Sequence, residues 1–213
     1  MRSMTEPGGL LGTLLARLRD APHLAIPGAL AYARGWYYKI VFPLLGKRFR
    51  AGRFFRVYGP LYLAGRGRVE FGDDVIIISN AIKPVYIRTL SPDAVIRLGD
   101  HAGLNGTSIQ CIESVAIGDW SNLADAYITD TAAHTLDVDR RQRPAEAAPH
   151  APVSIGRNVW VSVQVVITHG VSIGENAVIG ACSLVRGDVP ANRFYAGNPL
   201  REISHIPGVP ERD

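Results

Sequence analysis

Six histidines, at positions 23, 101, 134, 150, 169 and 205, are the side chains best suited to moving a proton near neutral pH. A base of that kind takes the proton of a group as it attacks an electrophilic carbon. It works best with a carboxylate to orient its ring and with donors facing the oxygen that turns negative. His134 lies in TDTAAHTLDVDRRQRPAEAAPHAP, residues 129–152, four positions after Asp130 and ahead of Asp137 and Glu146. Taken alone, these residue types fit a solvated loop at least as well as a site. His101 adjoins Asp100 in a turn, His169 falls in a turn of a repeat, and His23, His150 and His205 lie near prolines or chain ends, so none of them is assigned a role. No serine or cysteine stands beside a base as a nucleophile. The two cysteines, Cys111 and Cys182, exclude a disulfide-stapled scaffold and a Cys-rich zinc centre, and Cys182 reads as packed rather than reactive. No His/Cys/Asp cluster has metal-ligand spacing, and the dinucleotide and P-loop glycine patterns are missing, so no metal is expected.

The elements that must carry these groups follow a six-residue period. From Val153 the chain reads VSIGRN, VWVSVQ, VVITHG, VSIGEN, AVIGAC, SLVRGD. Ile155, Val161, Ile167, Ile173, Ile179 and Val185 fill one column; Val153, Val159, Val165, Val171, Ala177 and Ser183 fill a second, two positions earlier. A helix repeats its apolar face every 3.6 residues and a lone strand every two, so neither gives this register. Six residues make a short strand and a turn, and three such sides close a triangular coil whose in-phase residues stack inside a prism. The glycines after the aliphatic column are expected to supply the tight turns. Weaker copies lie upstream: Val115, Ser121 and Tyr127 beside Ile117, Leu123 and Thr129; Ile96 and Ala102 beside Leu98 and Leu104; Val69, Val75 and Ala81 beside Phe71 and Ile77. The coils are expected over 57–190, with a loop over 130–151 ejected from them and an extension over 191–213.

Ahead of the coils, residues 1–56 read as a cap. Leu10, Leu11, Leu14, Leu15 and Leu18 predict a short amphipathic helix, which Pro22, Pro27 and Gly28 then interrupt. An aromatic-basic stretch follows. Between Asp20 and Glu70 there is no acidic residue and there are nine basic ones, Arg34, Lys39, Lys47, Arg48, Arg50, Arg53, Arg56, Arg66 and Arg68. The first reading is a cover for the open end of the coils that packs on a neighbouring subunit. The second is peripheral attachment to an anionic membrane surface. No nucleic-acid motif accompanies the charge, so nucleic acid is not an expected partner. At 213 residues, 47% hydrophobic and 20% charged with a net charge of +4, the chain is far from the disordered regime. No apolar run reaches the ~18 residues that span a bilayer, and the first ten residues do not read as a signal peptide, so a cytoplasmic protein is expected.

The stretch from Ile155 to Ile203, with its Asn-Val-Trp, Gly-Val-x-Ile-Gly, Val-Ile-Gly-Ala and Tyr-Ala-Gly-Asn-Pro signatures, resembles the hexapeptide-repeat acyltransferases. Within them it is most similar to the galactoside, maltose and exopolysaccharide O-acetyltransferase branch. The resemblance implies an all-β solenoid, a left-handed parallel β-helix; the hand comes from the family and not from the periodicity. It implies acetyl transfer from acetyl-CoA to a sugar hydroxyl of a bacterial glycan or its precursor, in a homotrimer whose sites lie between protomers; with no serine or cysteine nucleophile beside a base, the transfer is expected to be direct, without an acyl-enzyme. His134 falls at the family's catalytic base and Glu146 near a family glutamate of the acceptor site, with Asp130 and Asp137 as rivals for orienting the ring. Asn105 corresponds to an asparagine that holds the acceptor hydroxyl. The family's acidic residue after it is Ile112 here, which argues against a galactoside-type acceptor. For coenzyme A the resemblance implies Trp160, the backbone N–H of Val163, the turn at Gly180 and Ala181, and the cations Arg186 and Arg201. The alternatives are N-acetylation of an aminosugar nucleotide and a non-catalytic β-helix scaffold.

Overall fold

The computed structural model describes Arg19, residues 21–80 and residues 82–208. The chain winds into a β-solenoid with three flat faces. The first face stacks Arg48–Ala51, Arg68–Phe71, Val95–Leu98, Ser114–Ile117, Val153–Ile155 and Ser172–Ile173, every pair parallel and in chain order. The second stacks Arg56–Tyr58, Ile76–Ile78, Gly103–Asn105, Asn122–Ala124, Trp160–Val161, Val178–Ile179 and Arg193–Ala196. The third stacks Leu61–Ala64, Val85–Thr89, Ser108–Cys111, Tyr127–Thr129, Val166–Ile167 and Leu184–Val185. Six coils therefore carry all three faces and Arg193–Ala196 adds part of a seventh, over which Arg201–His205 folds back antiparallel. The first coil opens at Arg48, upstream of the expected boundary at 57.

The interior is the column read from the sequence. Ile155, Val161, Ile167, Ile173, Ile179 and Val185 are buried, as are Val153, Val159, Val165, Val171, Ala177 and Ser183. Each apolar side chain removed from water contributes about 1.5–3 kcal/mol. The register differs in the fourth coil. Ala126 and Ile128, not Tyr127 and Thr129, face inward there. Leu123 aligns with Val161 and Ile128 with Ile167, so the corner between them is one residue shorter than in the fifth coil. In the second coil Val85 and Ile87 take the inward positions of the third side; Ala81, expected there, lies outside the described residues.

Glycine serves a different purpose from the one expected. Gly156 and Gly174 are not in the left-handed region; a Cβ on Gly156 would stand 2.7 Å from the backbone N of Glu175, and one on Gly174 2.3 Å from that of Ala191. Close stacking of coils at this corner, not turn conformation, demands the missing side chain. The left-handed residues of the same corner are Asn158, Asn176 and Asn192, with φ of 54°, 56° and 61°, a conformation asparagine tolerates. Their amides form a ladder, Asn158 donating to Asn176 and Asn176 to Asn192, each at 2.8 Å.

A 20-residue helix, α1 (Ala25–Leu44), lies across the open first coil. Pro27 and Gly28 do not interrupt it: Pro27 sits in the first turn, where an N–H would have no helical acceptor. The helix expected at Leu10–Leu18 lies outside the described residues. Ala31, Gly35 and Phe42 form the buried face of α1, and a Cβ on Gly35 would stand 2.1 Å from the Phe55 carbonyl oxygen. The Tyr38 hydroxyl accepts from the Leu61 N–H at 3.0 Å. Tyr38 then meets Phe42 in a tilted contact at 4.8 Å, and Phe42, Phe49 and Phe71 continue edge to face, each at 5.3 Å, into the core.

Candidate functional site

The fourth and fifth coils pair directly, Val115 with Val153 and Ile128 with Ile167, as though residues 130–151 were not between them. The segment leaves at the corner between the third and first faces. Its base is an antiparallel clamp: Thr131 bridges His150, the Ala132 N–H donates to the Pro149 carbonyl at 2.8 Å and the Ala151 N–H to the Asp130 carbonyl at 3.0 Å. Ala133, next to the histidine, is held in the left-handed region at φ 64° by its N–H bond to Thr131 Oγ1. That conformation costs an alanine about 1 kcal/mol or more, so the surroundings must enforce it. His134 therefore stands exposed on a fixed base. Beside it, Thr135 Oγ1 is buried without a hydrogen-bond partner among the described residues.

The four carboxylates of the segment have separate fates. Asp130 is wholly buried, and its oxygens accept the N–H groups of Ile112 and Glu113, both at 2.8 Å, and the Cys111 thiol at 3.3 Å. Burial, with that carboxylate alongside, pushes the Cys111 thiol far up, so it stays protonated. Asp137 and Asp139 are taken by Arg143, at 3.5 and 2.8 Å. Glu146, on a short 3₁₀ turn (Ala145–Ala147), is exposed and makes no ion pair or side-chain hydrogen bond with a described residue. Among the described residues no carboxylate makes an ion pair or hydrogen bond with the His134 ring. Two apolar side chains of the segment, Leu136 and Val138, are 96% and 98% exposed.

The remaining candidates stand elsewhere. Asn105 ends a strand of the second face, in a cleft of about 310 Å³ with Ile76, His101, Gly103, Trp120 and Asn122. Its side-chain amide has no described partner; Gly106, φ 61°, makes the turn instead. Ile112, where an acidic residue was expected from the resemblance, is buried with its N–H on Asp130. Trp160 is on the same face, half exposed, between Asn122 and Val178. Val163, Gly180 and Ala181 lie at the corner between the second and third faces. The N–H groups of Val163 and of Ala181, one coil further, are free of partners among the described residues and form a short donor edge. Gly180 is small because a side chain would meet Ala196 at 2.7 Å. Cys182 is a correction: it is exposed, not packed, at the left-handed position of that turn, its thiol 3.4 Å from Gln164 Oε1.

Arg201 pairs with Ala196 at the same corner, whereas Arg186 follows the third face on the corner of His134; neither has an acidic partner among the described residues. One protomer thus brings His134, Glu146 and Arg186 to one corner, and Val163, Gly180, Ala181 and Arg201 to another, with Asn105 and Trp160 on the face leading to the latter. Sequence reasoning passed over the second-face cluster in which His101 stacks on Trp120 at 3.9 Å and meets Asp74 through Nδ1 at 3.1 Å. Its one signal was the spacing of 19 between residues 101 and 120, one coil apart in the left-handed position. Among the described residues no three His, Cys, Asp or Glu side chains gather as a metal site.

Residues 152–187 match the family described as "Bacterial transferase hexapeptide (six repeats)". In sequence the chain is similar to the galactoside O-acetyltransferase of Escherichia coli, 39% identical over 93 residues that cover 44% of this chain and 45% of that protein. The chain spans less than half the length of the curated relatives it matches first. In structure it is similar to a variant of AntD, an N-acyltransferase from Bacillus cereus in complex with dTDP-4-amino-4,6-dideoxyglucose and coenzyme A, with a TM-score of 0.63 and 16% identity over 78% of this chain and 88% of that one. It is also similar to the polySia-specific acetyltransferase NeuO, with a TM-score of 0.55 and 21% identity over 79% of this chain and 86% of that one. At those identities the structural likenesses describe the fold.

Proposed function

We propose that this protein transfers an acetyl group from acetyl-CoA to a sugar hydroxyl of a glycan or its precursor, at sites shared between copies of the chain in a cytoplasmic homotrimer. One observation carries the reading: the longest described departure from the solenoid presents His134, exposed on a clamped base, with Glu146 as the carboxylate of that segment left without a partner. The likeness to an O-acetyltransferase in sequence, and to coenzyme A-binding acyltransferases in fold, supplies the chemical class.

In this reading Nε2 or Nδ1 of His134 takes the acceptor hydroxyl proton as the oxygen attacks the thioester carbon. The oxyanion meets the free N–H of Val163 on a neighbouring copy. The intermediate collapses by breaking the carbon–sulfur bond, and the imidazolium returns its proton to the departing thiolate. Asn105 and Trp160 contact the sugar and the acyl-carrying end of the donor, while Gly180, Ala181, Arg186 and Arg201 line the coenzyme A groove. Placement on separate corners supports a site completed by a second copy, and the bare apolar pair Leu136 and Val138 supports burial against one.

The likeness to AntD favours a second reading, in which the acceptor is the amine of an aminosugar nucleotide. Thiol release from acetyl-CoA, measured with sugars and nucleotide sugars, tests both. An ester product is cleaved by mild base and an amide is not. His134→Ala is expected to lower acceptor-dependent release by about 10²–10⁴-fold. Co-assembly of His134→Ala with Trp160→Ala chains is expected to restore part of the activity, and no restoration would remove the shared site. Failure to bind coenzyme A in calorimetry would overturn the acyltransferase reading.

A further inference from the structure

Helix α1 is apolar on both sides. Ala31, Gly35 and Phe42 face the first coil, while Ile26, Leu30, Trp36, Tyr37, Ile40 and Leu44 face away from it; Ile26 is 73% and Leu44 79% exposed. Positions 26, 30, 37, 40 and 44 are the spacing of one continuous stripe, so a helix that buries one face carries a second that no described residue covers. Arg34 and Lys39 are the charged residues of α1, and both lie on the flanks between the two apolar faces.

Alongside one flank runs a cleft of about 650 Å³ lined by Lys39, Lys47, Arg48, Arg50 and Arg68. Its acid, Glu70, is held by Arg97 at 3.0 Å. Lys39, Lys47 and Arg48 donate to the carbonyls of Gly52, Gly65 and Pro92, which fixes the side chains without neutralising them. Arg34, Lys39, Lys47, Arg48, Arg50 and Arg66 have no carboxylate partner among the described residues, whereas Arg53 and Arg56 are paired with Asp73 and Asp74.

We propose that α1 and the cationic edge of the first two coils dock on an anionic phospholipid bilayer, the stripe at the acyl boundary and the cleft among the headgroup phosphates. Charge decides between occupants. A second copy meeting this end would set unpaired cations against unpaired cations; an anionic surface complements them. No described helix is long and apolar enough to cross a membrane, so α1 lies along the surface. The surface is separate from the residues given to acetyl transfer, and the two proposals fail independently.

The full chain is sedimented with vesicles of phosphatidylcholine alone and of phosphatidylcholine with 30% phosphatidylglycerol. Binding is expected on the anionic vesicles and is expected to weaken strongly between 50 and 500 mM salt. Arg48→Glu with Arg50→Glu is expected to lower the partition coefficient by about 30-fold or more, since each surface cation contributes roughly fivefold. Ile40→Ser with Leu44→Ser is expected to lower it while leaving thermal melting and acetyl transfer to a soluble acceptor unchanged. No binding, equal binding to both vesicles, or undiminished binding by the charge-reversed protein would overturn the proposal. So would Ile40→Ser with Leu44→Ser dissociating an oligomer without altering vesicle binding, which would make a second copy the occupant.

Discussion

Replacing Asp130 separates a carboxylate that holds the fold from one that serves His134. The side chain is wholly buried and meets three donors, the Ile112 and Glu113 N–H groups and the Cys111 thiol. Asparagine keeps one accepting oxygen and turns the other into a donor, so at least one buried N–H loses its acceptor. Alanine strands both. A stranded buried donor costs about 1–3 kcal/mol, which gives about 2 kcal/mol for Asp130→Asn and about 4 kcal/mol for Asp130→Ala. In a chain of 213 residues, 1 kcal/mol moves the melting midpoint by roughly 2–4 °C. The expected falls are therefore about 4–8 °C for asparagine and about 8–16 °C for alanine, read by circular dichroism at a fixed scan rate. Acetyl transfer by Asp130→Asn, assayed well below its midpoint, is expected to stay within about threefold of the parent. Melting within 2 °C of the parent for both variants would refute the accounting. A fall in activity of 100-fold at unchanged melting would return Asp130 to the role of orienting His134.

Gly174→Ala forces a Cβ to within 2.3 Å of the Ala191 backbone and is expected to cost about 1–3 kcal/mol in denaturant unfolding, whereas Gly187→Ala, with nothing within 4 Å, is expected to be neutral or slightly stabilising. Thiol labelling is expected to modify one cysteine per folded chain, the exposed Cys182. Because the Cys111 thiol is pushed up, its thiolate fraction stays negligible as the pH rises through the ordinary thiol range, and a second labelled site at pH 9.5 in folded protein would contradict its placement. Saturating coenzyme A is expected to slow Cys182 labelling about tenfold, since the thiol shares the corner of Val163 and Ala181; unchanged rates would move the donor groove elsewhere.

The prism was readable because its signal is geometric: a strict spacing of six leaves Ile155 to Val185 no other common environment. The one-residue slip at Ala126 and Ile128 was hidden because Tyr127 and Thr129 are equally good strand residues and only the short corner turns them outward. Within the cap, the extent of α1 was hidden because Pro27 stops a helix only outside its first turn, and because a helix apolar on two sides lacks the usual 3.6-residue contrast. For the candidate site, the segment that leaves the coils was legible as a break in register. Which carboxylate remains free was not, since Asp130, Asp137 and Glu146 differ only in partners brought by folding. The relation of His134 to the Val163 edge was not legible either, because faces of the prism separate them within one chain.

The direct pairing of Val115 with Val153 across residues 130–151 has a consequence for descent and for engineering. Closure entropy grows only logarithmically, so doubling the excursion costs roughly 0.6 kcal/mol. The coils on either side neither lose a hydrogen-bonded rung nor shift register when its length or composition changes. Apart from the Asp130 anchor and the clamp at Thr131 and His150, the segment is free to be exchanged wholesale. Under the proposed function, acceptor preference could then be transplanted with the segment nearly independently of stability, the stack of coils serving as an unaltered chassis.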